Sequence, residues 1–142
     1  MSRIYWDSML FVYWLEGNPQ FGQRVDAIWS RMQERNDQLI TAALTFGEVF
    51  AGAYRRGGNQ ELVRQVKAEL EIAVSEVIPF TSEAADLYGR IRGSLRVSSA
   101  DAIHLACAAS AGTDIFLTND NDLIGNLIPG IHFIAGLDSN II

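Results

Sequence analysis

The chain alternates between short, continuously apolar runs and longer stretches in which apolar residues recur every three or four positions. Ile4-Tyr5-Trp6 reads as a buried strand that ends at Asp7, after which Leu10, Phe11, Trp14 and Leu15 keep helical spacing until Gly17-Asn18-Pro19 breaks it. From Gln20 to Arg35, the residues Phe21, Val25, Ile28, Trp29 and Met32 mark one face of an amphipathic helix that Asn36-Asp37 closes. Leu39 to Leu44 predicts a second strand, and Thr45 to Ala51 resumes helical character up to Arg55-Arg56-Gly57-Gly58. A helix from Glu61 to Ser75 and a short extended piece, Val77-Ile78-Pro79-Phe80, come next. Thr81 to Arg92 predicts a helix capped by Gly93, and Ser99 to Ala111 one stopped by Gly112. Asp114 to Thr118 has the composition of a central strand; a turn at Asn119-Asp120-Asn121-Asp122, a short helix near Leu123 and a last strand around His132 to Ala135 complete the pattern.

Strands that are short and apolar throughout, alternating with helices, predict an α/β domain with a mainly parallel sheet covered on both faces. With no internal repeat, low-complexity tract or linker, one domain over residues 1–142 is expected. Sites in such sheets lie at the carboxyl ends of the strands, so the residues just after each strand are the ones to inspect.

Composition narrows the classes. With 49% apolar and 20% charged residues the chain has an ordinary globular balance. No apolar run approaches the roughly 18 to 20 residues of a membrane span, and Met1-Ser2-Arg3 leads straight into strand-like residues rather than a signal peptide. A cytoplasmic protein without membrane attachment is therefore expected. The lone Cys107 cannot form an internal disulfide, and its apolar helix suits a small packing residue. A net charge of −6 argues against broad electrostatic attachment to nucleic acid, which normally uses a basic face. It does not exclude a nuclease whose acids are gathered around cations.

The acids stand where the strands end. Asp7 follows the first strand, Glu48 comes one helical turn after the second, Asp120 follows the late strand and Asp101 starts its own helix. Each has a local explanation: Asp7 as a helix cap, Thr45-x-x-Glu48 and Ser98-x-x-Asp101 as capping boxes, Asp120 as a turn residue. The set says more than its members, because several carboxylates at one sheet edge repel one another unless something positive sits among them. All the candidate ligands are oxygen donors, with no Cys/His pair at zinc spacing, so Mg²⁺ or Mn²⁺ fits better than Zn²⁺. Carboxylates holding such ions point to phosphodiester hydrolysis by metal-activated water.

The segments Ile4-Tyr5-Trp6-Asp7-Ser8, Leu44-Thr45-Phe46-Gly47-Glu48-Val49-Phe50-Ala51-Gly52, Ser99-Ala100-Asp101-Ala102-Ile103-His104-Leu105-Ala106 and Leu117-Thr118-Asn119-Asp120 resemble, in order, the motifs of PIN-domain ribonucleases, specifically the VapC-like toxins of type II toxin–antitoxin pairs. The resemblance spans nearly the whole chain. It implies a three-layer α/β/α sandwich and a hydrolase that cuts RNA endonucleolytically with Mg²⁺ or Mn²⁺. By that likeness Asp7, Glu48, Asp101 and Asp120 form the catalytic, metal-binding quartet: Asp7 and Asp101 as central ligands, Glu48 as ligand or water-orienting group, Asp120 as the peripheral one. Ser8, Thr118 and Asn119 match supporting polar positions. Asp122 lies two residues past Asp120, and only the Thr118-x-Asp120 spacing favours the earlier acid. The resemblance also implies RNA as substrate, a cognate antitoxin as partner and a homodimer or larger assembly.

Other features read more plainly. His104, three residues after Asp101, shares its helical face but reads first as a packing residue, and His132 carries even less signal. Arg55, Arg56, Arg90, Arg92 and Arg96 flank acid-bearing segments and are candidates for RNA phosphates, against the plainer reading of solvated helix faces. Tyr13, Trp14, Phe21 and Trp29 read as core or partner-interface aromatics. A receiver-like phosphorylation module is disfavoured, because Asp7 has Ser8 beside it rather than a second acid and the final third of the chain has no lysine. The remaining alternative is a PIN-like fold without turnover that binds protein or RNA.

Overall fold

The computed structural model describes residues 1–140 and 142. Five strands, β1 (Arg3–Trp6), β2 (Gln38–Ala42), β3 (Glu76–Ile78), β4 (Thr113–Leu117) and β5 (Ile131–Ala135), form one sheet in the order β3-β2-β1-β4-β5. Every pairing is parallel, with Ile4 opposite Leu39 on one side and Ile115 on the other. Parallel neighbours need crossovers, and six helices provide those between β1 and β4: α1 (Ser8–Glu16), α2 (Gly22–Arg35), α3 (Ala43–Arg55), α4 (Gln60–Ala73), α5 (Ser82–Ser94) and α6 (Ser99–Ala111), while residues 118–130 lead from β4 to β5 without a helix.

Side chains alternate across β1. Ile4 and Trp6 enter a core with Leu10, Phe11, Val25, Met32, Val49 and Leu70, which belong to α1 to α4. Tyr5 points the other way, into a core with Ile91 of α5 and Ala102, Leu105 and Ala106 of α6, and its ring stacks on Phe116 at 4.8 Å. The inner strands β1, β2 and β4 are largely buried on both sides because each side is covered by helices, whereas the edge strands β3 and β5 keep exposed positions such as Val77 and Phe133. The result is the expected α/β/α sandwich. Trp6, Trp14 and Trp29 meet edge-on or tilted within 6.2 Å; Trp6 is buried in the core, and the half-buried Trp14 and Trp29 pack against it. The alanines of α6 let it seat close to its neighbours. At Gly130, φ is 99° and an added Cβ would lie 2.6 Å from the Ala109 carbonyl, so this turn packs directly on the end of α6.

Several local expectations change. β2 ends at Ala42 and α3 starts at Ala43, which puts Thr45 inside the first turn rather than at a cap. The Thr45-x-x-Glu48 capping box therefore does not exist; the Thr45 hydroxyl instead meets Thr41 at 2.6 Å. Gly93 lies within α5, which ends at Ser94 with an extended Leu95 as its C-cap, so the chain there has no need of a left-handed residue. Residues 121–125 form turns and no helix near Leu123, since the side chains of Asp120 and Asn126 tie the Asp122 amide and carbonyl locally instead. Among the described residues no helix is long and apolar enough to cross a membrane.

Candidate functional site

In a sheet ordered 3-2-1-4-5, the chain turns opposite ways from β1 and β4, and a crevice opens at their carboxyl ends. Asp7 leaves β1 directly into that crevice, its amide still bonded to the Leu117 carbonyl of β4 at 3.0 Å. It is also the N-cap of α1, accepting from the Ser8 amide at 2.9 Å. The capping explanation is thus correct and incomplete. Its other oxygen accepts from the buried Thr118 hydroxyl at 2.8 Å, while only 7% of the residue is exposed. An ionised carboxylate offers about four acceptor sites, so two remain.

Asp101 arrives from another direction. Ser98 caps α6 by accepting from the Asp101 amide at 3.1 Å, so half of the capping box forms. Among the described residues no return bond runs from the Asp101 carboxylate to the Ser98 amide; the carboxylate lines the crevice instead. Burial pushes its pKa up, the Ser98 hydroxyl opposes the rise, and the nearby charges of Asp7 and Asp120 add to it.

Glu48, on the second turn of α3, behaves in the opposite way. Its Oε1 lies 2.6 Å from His104 Nε2, and this bond holds its pKa below the ordinary carboxylate value against the effect of burial, with the Ser8 hydroxyl adding a smaller pull. His104 is a packing residue as expected, 1% exposed, but it also borders the crevice between Glu48 and Asp7. Its position three residues after Asp101 was the available signal; the partner 56 residues earlier was not visible from spacing.

The fourth acid sits in the turn after β4. Asp120 receives the Asp122 amide at 2.9 Å, and its own amide donates to the Thr118 hydroxyl at 3.1 Å, so it is a turn residue as well. Asn119 donates to the Tyr13 hydroxyl at 3.0 Å. Asp7, Glu48, Asp101, Asp120 and Asp122 line one cleft of about 600 Å³, together with Ser8, Asn119, Met9 and Tyr13. Thr118 lies beneath it. Both Asp120 and Asp122 face the same space, so the cleft does not choose between them.

The arginines divide. Arg92 reaches the Tyr88 hydroxyl, which meets Ser99 at the start of α6, so this side chain is linked to the helix that carries Asp101 without lining the cleft. Arg90 is paired with Asp86. Arg55 and Arg56 end α3, roughly 18 Å of helix from Ala43 at the sheet edge, and Arg56 pairs with Glu16. They are not brought to the cleft, and no lysine or arginine lines it among the described residues.

Among the described residues no three His, Cys, Asp or Glu side chains stand close enough to enclose a metal ion as they are. A divalent cation still fits the donor chemistry. The lining is rich in carboxylate oxygens, Asp7 keeps free acceptor sites, and Asp101 carries the repulsion of two neighbouring acids. Magnesium keeps several waters and is commonly held through one or two carboxylates, so a closed cage is not required.

Residues 4–125 match the PIN domain family. No curated protein sequence matches the chain significantly. Among solved structures, VapBC2 from Rickettsia felis bound to a DNA fragment from its promoter is similar with a TM-score of 0.69 at 16% identity, over 94% of this chain and 98% of that one. A toxin–antitoxin complex from Klebsiella pneumoniae gives 0.66 at 18%, over 90% and 94%. FitAcB from Neisseria gonorrhoeae gives 0.64 at 22%, over 84% and 88%. At these identities the likeness concerns the fold.

Proposed function

The chain belongs to the PIN domain family, and from that premise we propose that it is a divalent-metal-dependent endoribonuclease acting as the toxin of a toxin–antitoxin pair in the cytoplasm. One observation carries the reading: five carboxylates share a cleft at the β1/β4 crevice that no lysine or arginine among the described residues neutralises. Asp7 and Asp101 would hold the ion, with Glu48 and Asp120 beside it, and Mg²⁺ or Mn²⁺ suits their oxygen donors. When bound, the cation would supply positive charge for the phosphodiester oxygens and ease loss of a proton from a water molecule, whose deprotonated oxygen can attack phosphorus.

The chain's own residues do the positioning. Thr118 and the Ser8 amide fix the two oxygens of Asp7, so its free lone pairs face the cleft. Glu48, kept ionised by His104, is placed to accept a proton or orient water. Asn119 ties the turn that carries Asp120 to Tyr13 of α1, closing one wall. Arg90, Arg92 and Arg96 would meet RNA phosphates outside the cleft, with Arg92, linked to the helix that carries Asp101, best placed to do so. An antitoxin partner accords with the neighbours, one of which is itself a toxin–antitoxin complex, and a homodimer or larger assembly with the antitoxin is proposed with it.

The test is cleavage of RNA by the purified protein with Mg²⁺, with Mn²⁺ and with EDTA. Cleavage with metal only, lost in Asp7→Asn and Asp101→Asn, is expected. Equal cleavage with EDTA or in both variants overturns the proposal, and absence of calorimetric Mg²⁺ binding at millimolar concentration favours a binding module instead.

A further inference from the structure

The bond between His104 and Glu48 is the end of a longer chain that crosses the buried layer beneath the cleft. It begins at the Ala42 amide, on the last residue of β2, which donates to the Tyr5 hydroxyl at 3.2 Å. The Tyr5 oxygen lies 2.6 Å from His104 Nδ1, and His104 Nε2 lies 2.6 Å from Glu48 Oε1. Tyr5 is fully buried, and burial drives its phenol pKa far up, so the hydroxyl keeps its proton.

The direction of each bond follows from what the groups can do. An ionised carboxylate only accepts, so Nε2 carries the hydrogen shared with Glu48. The Tyr5 oxygen already accepts from Ala42, and its own hydrogen needs an acceptor. The hydrogens of the neighbouring threonines go elsewhere, Thr41 donating to the Trp6 carbonyl at 2.9 Å and Thr45 to Thr41, and His104 Nδ1, at 2.6 Å, is the short contact open to the Tyr5 hydrogen. The hydrogen of Tyr5 therefore goes to Nδ1, which leaves the ring with one proton, on Nε2.

We propose that His104 is a positioning residue, locked by Tyr5 in the Nε2-protonated form so that it holds the Glu48 carboxylate in the cleft. The role rests on the nuclease reading for its effect on cleavage, but not for the arrangement itself. Four elements meet in it: Tyr5 comes from β1, Ala42 from the end of β2, Glu48 from α3, and His104 from α6, the helix that also carries Asp101. Ala42 is the N-cap of α3 and makes no side-chain cap bond, so the chain through Tyr5 also satisfies the amide at that turn. The Glu48 side chain, partly exposed, has a rotamer to lose, and the buried ring restrains it.

Two readouts decide it. Long-range ¹H–¹⁵N spectra of the histidine rings in mildly alkaline buffer need no activity: wild type is expected to show His104 with its proton on Nε2 alone, and Tyr5→Phe to mix the two tautomers. A ring in wild type protonated on Nδ1 or on both nitrogens overturns the arrangement. For cleavage, His104→Ala is expected to lower kcat about 10- to 100-fold, the cost typical of removing a supporting partner, with KM for RNA within about twofold. His104→Gln, whose amide can donate where Nε2 does, is expected to recover most of that loss. In a Glu48→Ala background His104→Ala is expected to add less than about twofold, since two groups acting as one unit are not additive. A full additional loss in that background shows that His104 acts independently of Glu48 and overturns the positioning role. If wild type cleaves no RNA while the ring is Nε2-protonated, the nuclease reading fails and the hydrogen-bond chain stands.

Discussion

The two edges of the sheet treat charge in opposite ways. At the amino ends of the strands Arg3 reaches Glu76 at 2.6 Å, Gln38 at 3.1 Å and the Gly112 carbonyl at 3.0 Å, while its amide donates to Asp114. Asp37, whose side chain is buried, accepts from the Ser2 amide and pairs with Arg35. His132 lies 3.2 Å from the same Asp114. At the carboxyl ends, five acids share a cleft whose only basic side chain among the described residues is His104. One edge resolves its charges and ties β1, β2, β3 and β4 together; the other leaves them for something that binds. The same amino acid types thus serve stability at one end and, by the reading proposed above, chemistry at the other.

The comparison breaks most visibly in activity. Asp7→Asn and Asp101→Asn keep the shape of the cleft and are expected to reduce RNA cleavage by more than the roughly 10- to 100-fold that losing a supporting partner costs. Arg3→Ala, at the other edge, is expected to leave kcat unchanged. Steady-state cleavage by the three variants checks this, and loss of activity in Arg3→Ala would remove the division of labour.

Stability should respond to Mg²⁺ at one edge only. A cation that binds the folded chain stabilises it by mass action, about 2.7 kcal/mol at a free concentration one hundred times Kd. The melting temperature of wild type and of Arg3→Ala is expected to rise in parallel with Mg²⁺, and that of Asp101→Asn to rise much less. A Mg²⁺-induced shift in Asp101→Asn equal to that of wild type would place the ion elsewhere.

Much of this division could be read from residue order, and the failures have physical causes. The inner strands are legible because they are buried on both faces and hence mostly apolar, as Ile115-Phe116-Leu117 shows. Asp7 and Asp120 stood out because each follows a strand. The start of α3 was misplaced by two residues because Ala43 and Leu44 suit strand and helix alike, and that slip created a capping box at Thr45 that the backbone does not make. The pairing of Glu48 with His104 was invisible, since it joins α3 to α6 across a contact that no local period encodes. Nor could sequence order show that Arg55 and Arg56 end up at the far end of α3. The Arg3 network was missed for the same reason: its partners lie 35 to 111 residues away.

Arg3→Ala is the converse experiment. Its guanidinium is about one third exposed, so its ion pair with Glu76 is partly screened by solvent and contributes modestly. Loss of the bonds to the Gly112 and Ala111 carbonyls adds to that. A fall of about 1 to 2 kcal/mol in unfolding free energy is expected, measured by urea denaturation in EDTA. No change would mean that strand packing alone holds this edge.

The smallest effect, and the sharpest, is the sign of the pH dependence in the metal-free protein. The Asp101 pKa is raised on folding, so its ionised form opposes the folded state: stability falls as pH rises from the ordinary carboxylate value, about 4, through the raised one. The Glu48 pKa is lowered, so its contribution is present above the ordinary value and is lost as pH falls through the lowered one. Asp101→Asn removes the first effect and leaves the second. The α6 cap survives this change, because it belongs to the Ser98 oxygen and the backbone amide of residue 101. A carboxylate in the first turn of a helix normally gains about 0.3 to 1 kcal/mol from the helix dipole, which argues for a loss on substitution. The raised pKa says that burial and the charges of Asp7 and Asp120 outweigh that gain. Melting in EDTA between pH 4 and pH 7 should therefore show Asp101→Asn matching wild type at the acid end and becoming progressively more stable than wild type toward neutrality. If the variant is instead the less stable at pH 7, Asp101 is held by its helix rather than strained by its neighbours, and the carboxyl edge of the sheet is not an uncompensated one.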